Sequence, residues 1–157
     1  MKKQILKGLT MLIVIMTMAF VTAVVSANAQ THSGNLRANV PFDFIIGDKT
    51  MAAGEYGVSQ ITQQADGIVV RSALNGKGAI RLTNGVRANE TPAQSKLVFH
   101  RYGEKFYLAQ IWTAGNSEGR ELLKSGSEKA LERELSASQN LAANAKPETV
   151  VVIASLQ

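Results

Sequence analysis

Residues 36–46 alternate strictly. Leu36, Ala38, Val40, Phe42, Phe44 and Ile46 stand against Arg37, Asn39, Pro41, Asp43 and Ile45. A period of two over this length requires an extended strand with one buried face, because only in a strand do successive side chains point to opposite sides. The chain is thereby committed to a sheet. Pro41 lies on the polar side and has no N–H to give to a ladder, which predicts an edge position or a bulge for this strand.

The same pattern recurs downstream. Residues 47–50 (Gly-Asp-Lys-Thr) turn the chain, and a second strand starts at Tyr56 and Val58 and runs to about residue 62, with Ile61 out of phase. Residues 68–72 form a third. Asn75-Gly76 favours a tight turn into a strand over residues 79–83. A two-residue loop there would oppose Val70 to Arg81 and mix the faces, which predicts a longer or bulged loop. Asn84-Gly85 offers another turn, into a short segment over residues 86–88, and residues 89–95 read as a loop. Residues 97–112 are the clearest hairpin. Gly103-Glu104 fits a type II′ turn and pairs Tyr102 with Lys105, His100 with Tyr107 and Phe99 with Leu108. Strict alternation then puts Leu97, Phe99, Phe106, Leu108 and Trp112 on the core face, with Arg101 beside the turn, where its stem lies on apolar surface and its head reaches water. The other face holds Val98, His100, Tyr102, Tyr107, Ala109 and Ile111. Phe42, Phe44, Phe99, Leu108 and Trp112 are the expected core.

Residues 114–119 read as a loop. Ser125-Gly126-Ser127-Glu128 has the form of a capping box, an N-cap hydroxyl with a carboxylate three residues on. It predicts a helix over about residues 127–145, with a thin apolar stripe through Leu131, Leu135 and Leu141, ending before Pro147 and lying on a sheet. Residues 149–154 are a β-branched run, apolar on both faces, and predict an interior last strand. The expected fold is mainly β: a small antiparallel sandwich or partly open barrel of about seven or eight strands with one C-terminal helix. The strands are too short and too charged for an outer-membrane barrel.

The N-terminus sets the expected location. Lys2, Lys3 and Lys7 precede an apolar stretch over residues 9–25, followed by Ser26-Ala27-Asn28-Ala29. These are the three parts of a secretory signal peptide, with cleavage expected after Ala29 and no membrane span remaining afterwards. The mature chain would be a single β-rich domain, residues 30–157, in the periplasm or outside the cell. Without Lys2, Lys3 and Lys7 it carries fourteen Lys and Arg against twelve Asp and Glu, a net of +2. That is no footprint for nucleic acid, which shows as a clustered basic stripe. The absence of cysteine rules out disulfides, thiolate metal sites and the acylated thiol of a lipoprotein.

No catalytic constellation emerges. His32 and His100 lack the paired spacing of a zinc site, so neither a metal nor another cofactor is expected. Asp43, Asp48, Glu55 and Glu104 sit beside turns, where carboxylates are normally solvated. Gly115-Asn116-Ser117-Glu118-Gly119 matches the letters of a hydrolase elbow, but no strand–helix unit surrounds it and no histidine follows it. It reads as a polar turn.

The segments Val40-Pro41-Phe42-Asp43-Phe44, Gly47-Asp48-Lys49, Ala53-Gly54-Glu55-Tyr56 and Leu97-Val98-Phe99-His100-Arg101-Tyr102-Gly103 resemble those of a set of secreted bacterial β-rich proteins. The resemblance continues through Gly119-Arg120-Glu121-Leu122 to Glu132-Arg133-Glu134-Leu135. Such relatives carry proline before Ala-Gly, where this chain has Met51-Ala52 before Ala53. No activity is known for that family, so the resemblance brings no catalytic residues.

The expected function is a non-catalytic secreted or periplasmic module that binds a partner, such as an envelope protein or a glycan, through a hairpin face. His100, Tyr102, Lys105 and Tyr107 are the candidate contacts, because tyrosines flanked by cations suit flat polar ligands and protein surfaces. The competing explanation for these residues is cover by the C-terminal helix. Two alternative functions remain: a carrier holding a small apolar ligand inside the barrel, and a hydrolase.

Overall fold

The computed structural model describes residues 35–61, 66–138 and 147–156. The expected signal peptide and its cleavage site, His32, residue 62 at the end of the second strand, and the helical stretch over residues 139–145 lie outside them. In chain order the elements are β1 (Leu36–Val40), β2 (Phe44–Ile46), β3 (Lys49–Met51), β4 (Gly54–Gln60), β5 (Gly67–Ser72), β6 (Gly78–Arg87), β7 (Ser95–Tyr102), β8 (Lys105–Trp112), β9 (Glu118–Leu122), α1 (Gly126–Ser138) and β10 (Glu148–Leu156). Eight strands run in the order β8-β7-β10-β1-β4-β5-β6-β9. Since β9 also pairs with β8, they form a closed antiparallel barrel, to which the β2–β3 hairpin is attached along β8.

Alternation selects the inner face. Leu36, Ala38 and Val40 point inward from β1, Tyr56 and Val58 from β4, Ile68 and Val70 from β5, Leu97 and Phe99 from β7, and Val152 and Ala154 from β10. The eleven-residue strand expected from residues 36–46 is two strands. Far from lying at an edge, β1 sits between β10 and β4. Pro41 ends it, and the chain then crosses the mouth of the barrel to pair as β2 with β8. Asp43 at this crossing accepts the Ala53 N–H at 2.8 Å. The crossing carries Phe42 and Phe44 into an aromatic cluster. Phe42 stacks on Phe106 with centroids 4.0 Å apart and meets Phe99 edge-on at 5.2 Å, while Phe44 meets Tyr56 edge-on at 4.9 Å. Phe44, Phe99 and Leu108 are buried as expected; Phe42, at the mouth, is partly buried.

The turn at Gly103 has a positive φ of 63° and sets Tyr102 opposite Lys105, as the sequence predicts. Strict alternation then fails. Phe99 pairs with Leu108 but Val98 pairs with Gln110, so Ala109 is an extra residue in a β-bulge. The bulge reverses parity beyond it. Ile111 therefore enters the core opposite Leu97, and Trp112 turns to the outer side opposite Lys96. Trp112 is still buried, because its ring lies flat on Gly119, where a Cβ would come within 2.6 Å of the indole.

Two further expectations change. Asn84-Gly85 does not turn: β6 runs straight through it, because β9 pairs with residues 83–87. The outer side of β10 is not buried, and Val151 and Ile153 are about half exposed there, although β10 does lie between β1 and β7. The longer β5–β6 loop appears as expected, pairing Val70 with Ala79.

Candidate functional site

The outer face of β7 and β8 is built in two parts, divided by the bulge. On the turn side stand His100, Tyr102 and Tyr107. The helix α1 starts as the capping box predicts, with the Glu128 N–H donating to Ser125 Oγ at 3.1 Å. Its carboxylate reaches the barrel: Glu128 Oε1 lies 3.0 Å from His100 Nδ1 and accepts from the Tyr102 hydroxyl at 3.4 Å. Glu128 is 5% exposed, unusual for a lone helix carboxylate, and the two partners offset its desolvation. The Tyr102 ring meets His100 and Tyr107 edge-on, at 6.4 and 5.8 Å. Burial first, then the carboxylates of Glu128 and Glu132, raise the Tyr102 phenol pKa well above its ordinary value.

The expectation of an open aromatic and basic face is thus corrected. Tyr102 and Tyr107 are buried and His100 is partly so; α1 comes back onto the sheet at His100 and Tyr102 through Glu128. Of the four candidate residues, Lys105 alone is exposed. The physical reason is long-range: parity turns these side chains outward, but parity does not say which outward side chains the chain later covers.

Beyond the bulge the outer face is concave. Residues 88–93 line an open groove of about 540 Å³ together with Lys96, Val98, Gln110 and Trp112, with Thr149 and Val151 of β10 at the side. This segment and its flanks are anchored by two backbone bonds and one bond to a serine hydroxyl. The Ala88 N–H donates to Ser117 O at 2.9 Å, the Gly115 N–H donates to Pro92 O at 3.0 Å, and the Ala114 N–H donates to Ser95 Oγ at 2.9 Å. On the groove floor the Trp112 indole N–H donates to Gln110 Oε1 at 3.1 Å, and the Gln110 amide donates to Glu121 Oε1 at 3.3 Å. The apolar wall is Val98, Val151 and Pro92; Lys96 and Glu90 supply charge of both signs. The volume lies within the range of small-molecule sites, and the lining mixes apolar and polar groups in similar measure. None of these groove residues stands out in the sequence. Val98 had its outward parity as a signal, whereas Trp112 was hidden by the bulge.

The remaining candidates are separate. Asp48 pairs with Arg81 at 3.5 Å and Glu55 with Arg37 at 3.1 Å, while Glu104 sits in the β7–β8 turn. Among the described residues no three His, Asp or Glu side chains gather as metal ligands would, and no helix is long and apolar enough to cross a membrane. The Gly115–Gly119 segment joins two antiparallel strands, with Asn116 Oδ1 accepting the Glu118 N–H at 2.9 Å. Comparison of the chain with protein-family models, with curated proteins and with solved structures finds no match.

Proposed function

We propose that this protein is a non-catalytic binding module, exported to the periplasm or beyond, that takes its ligand on the hairpin's outer face. The contact residues in this reading are Lys96, Gln110 and Val151, over a floor of buried Val98 and Trp112, rather than His100, Tyr102 and Tyr107. The observation that carries it is the groove of about 540 Å³ beside residues 88–93, apolar along one wall and charged at its rim. An amphipathic ligand suits that lining, either part of an envelope glycan or a side chain of an envelope protein. The barrel interior favours this reading over an apolar carrier. Phe44, Phe99, Ile46, Ile68, Leu97, Val40 and Val70 fill it, each less than 2% exposed.

Trp112 is the only tryptophan in the chain and lines the groove, so its emission is a built-in reporter. Titration with soluble cell-wall glycan fragments, and separately with peptides from envelope proteins, is expected to shift that emission, and Val151→Arg to abolish the shift. An emission change that survives Val151→Arg, or no change with either ligand set, would defeat the groove reading. Mass analysis of exported protein checks the location: a chain beginning at Gln30 is expected, and retention of the first 29 residues in a membrane fraction would overturn it.

A further inference from the structure

The closed barrel has a seam. The strand β6 pairs with β5 through residues 78–82 and with β9 through residues 83–87, so its two halves are bonded on different sides. The Ser72 N–H donates to Lys77 O at 2.8 Å and the Thr83 N–H donates to Asp66 O at 2.6 Å. In an antiparallel ladder hydrogen-bonded pairs recur at every second residue, so these bonds at both ends assign the odd positions 79, 81 and 83 to β5. The even positions bond on the other side. Ala88 shows this directly, donating to Ser117 O, and Asn84 and Val86 stand opposite Glu121 and Gly119 of β9. But β9 ends at Leu122. Among the described residues, no strand pairs with the even side of residues 78–82. The N–H and C=O groups of Ile80 and the N–H of Leu82 therefore form an open edge inside an otherwise closed barrel, beyond the Thr83–Leu122 pair that ends the β9 ladder.

Around this edge the side chains have a definite chemistry. Ile80 and Leu82 are 65% and 68% exposed, and Leu123, the residue after β9, is 60% exposed. On the inner side Arg81 reaches across to Ile46 O at 3.4 Å and Asp48 at 3.5 Å, and Lys49 Nζ donates to Gly78 O at 3.3 Å. Long side chains, not ladder bonds, thus join β6 to the β2–β3 hairpin. Arg71 stands opposite Gly78, and Lys77 precedes it. Four cations therefore surround the edge, with Asp48 as the acid that an ion pair brings to it among the described residues.

We propose that residues 78–82 of β6 accept an extended polypeptide of alternating aliphatic and acidic side chains, which adds to the sheet as a further strand. The open backbone groups call for another backbone in extended form. The period of two would place aliphatic side chains on Ile80, Leu82 and Leu123 and acidic ones toward Arg81 and Lys49. Charge decides between a peptide and a second copy of this chain. A second copy would bring the same four cations to the seam, whereas an acidic segment neutralises them.

The test uses protein purified from cells expressing the full chain and a capped hexapeptide alternating valine with glutamate. In the free protein the amides of Ala79 and Arg81 are expected to exchange slowly with solvent and those of Ile80 and Leu82 rapidly. Peptide at about 1 mM, the concentration suited to a few edge hydrogen bonds, is expected to slow Ile80 and Leu82 about tenfold. An N-methylated peptide should lose the effect, as should Leu82→Pro, which removes an edge N–H without touching the β5 ladder. If Leu82→Pro fails to fold, Ile80→Glu keeps the backbone and is expected to weaken binding about tenfold, because it sets a charge against the peptide's aliphatic side chains. Unchanged exchange at Ile80 and Leu82 with peptide would overturn the proposal. So would equal binding of a valine–lysine peptide, or protection that rises with protein concentration alone, which would make a second copy the occupant.

Discussion

Two apolar regions on the outside of this barrel have opposite fates. Over β7 and β8, Val98, Tyr102, Tyr107 and Trp112 point away from the barrel axis and are nevertheless buried. Over β6, Ile80 and Leu82 point outward by the same parity and stay about two-thirds exposed. Residue type does not separate them, since aliphatic side chains occur in both. Cover does. The first region is held under later or looping chain by particular anchors: Glu128 on His100 and Tyr102, and the backbone bonds that pin residues 88 and 92 to residues 117 and 115. Along the second, β9 ends before it reaches Ile80 and Leu82. An outward apolar residue joins the hydrophobic interior only where the chain returns with a polar anchor that makes the return stable.

Mutations can break this comparison, and the largest effect is expected inside the barrel. Phe99→Ala should cost roughly 3–5 kcal/mol in chemical denaturation, the range for emptying a buried aromatic site. A loss below about 1 kcal/mol would place Phe99 outside the packed core. Next is Tyr102→Ala with Tyr107→Ala, on the covered outer region. A loss of about 3 kcal/mol is expected, approaching that of a core site, because these rings are buried like core residues. A melting temperature equal to that of the parent protein would show that α1 does not cover them.

Smaller is Glu128→Ala, which leaves His100 and the Tyr102 hydroxyl without their partner and should cost about 1–3 kcal/mol. Burial of Tyr102, with that carboxylate beside it, also gives a pH signature. The Tyr102 phenol has a pKa above 10.0 in the fold, so above that pH the unfolded chain releases its proton first and stability falls as pH rises. Tyr102→Phe should flatten that alkaline fall, read as the melting temperature across the range. Smallest is Ile80→Lys with Leu82→Lys on the open region. Its effect should stay within about 0.5 kcal/mol, as for surface changes. A loss above 1 kcal/mol would mean that this region, too, is covered.

Much of the barrel was legible in the chain, and the failures share a cause. The inward set of β1, the Tyr102–Lys105 register and the Ser125 cap follow from dihedral preferences and periods within a few residues. The closing strand β9 was not read as a strand: Glu118 and Gly119 fell in the expected loop, and residues 120–122 carried no strand signal. Its five residues, Glu-Gly-Arg-Glu-Leu, show no alternation, because Gly119 must be flat beneath Trp112 and Leu122 alone is buried in the core cluster. Asn84-Gly85 looked like a turn for the same kind of reason, since pairing with β9 overrides a local turn preference. At the hairpin, parity did turn His100, Tyr102 and Tyr107 to the outer face. The bulge at Ala109 then added Trp112 to that face, and α1 docked on His100 and Tyr102 through Glu128.

The amino-acid sequence by itself determined that this chain makes an antiparallel β domain, where its tightest hairpin turns and where its helix begins. Each of these is settled by neighbours: a glycine able to take positive φ, a serine able to cap, an apolar residue at every second position. Tertiary structure alone decided that the sheet closes, that Trp112 and Ile111 exchange sides, that Tyr102 lies beneath Glu128, and that Ile80 and Leu82 keep an open edge. Those outcomes depend on which distant segment arrives to pair or to cover. A two-residue period carries the direction of a side chain but no information about what will meet it.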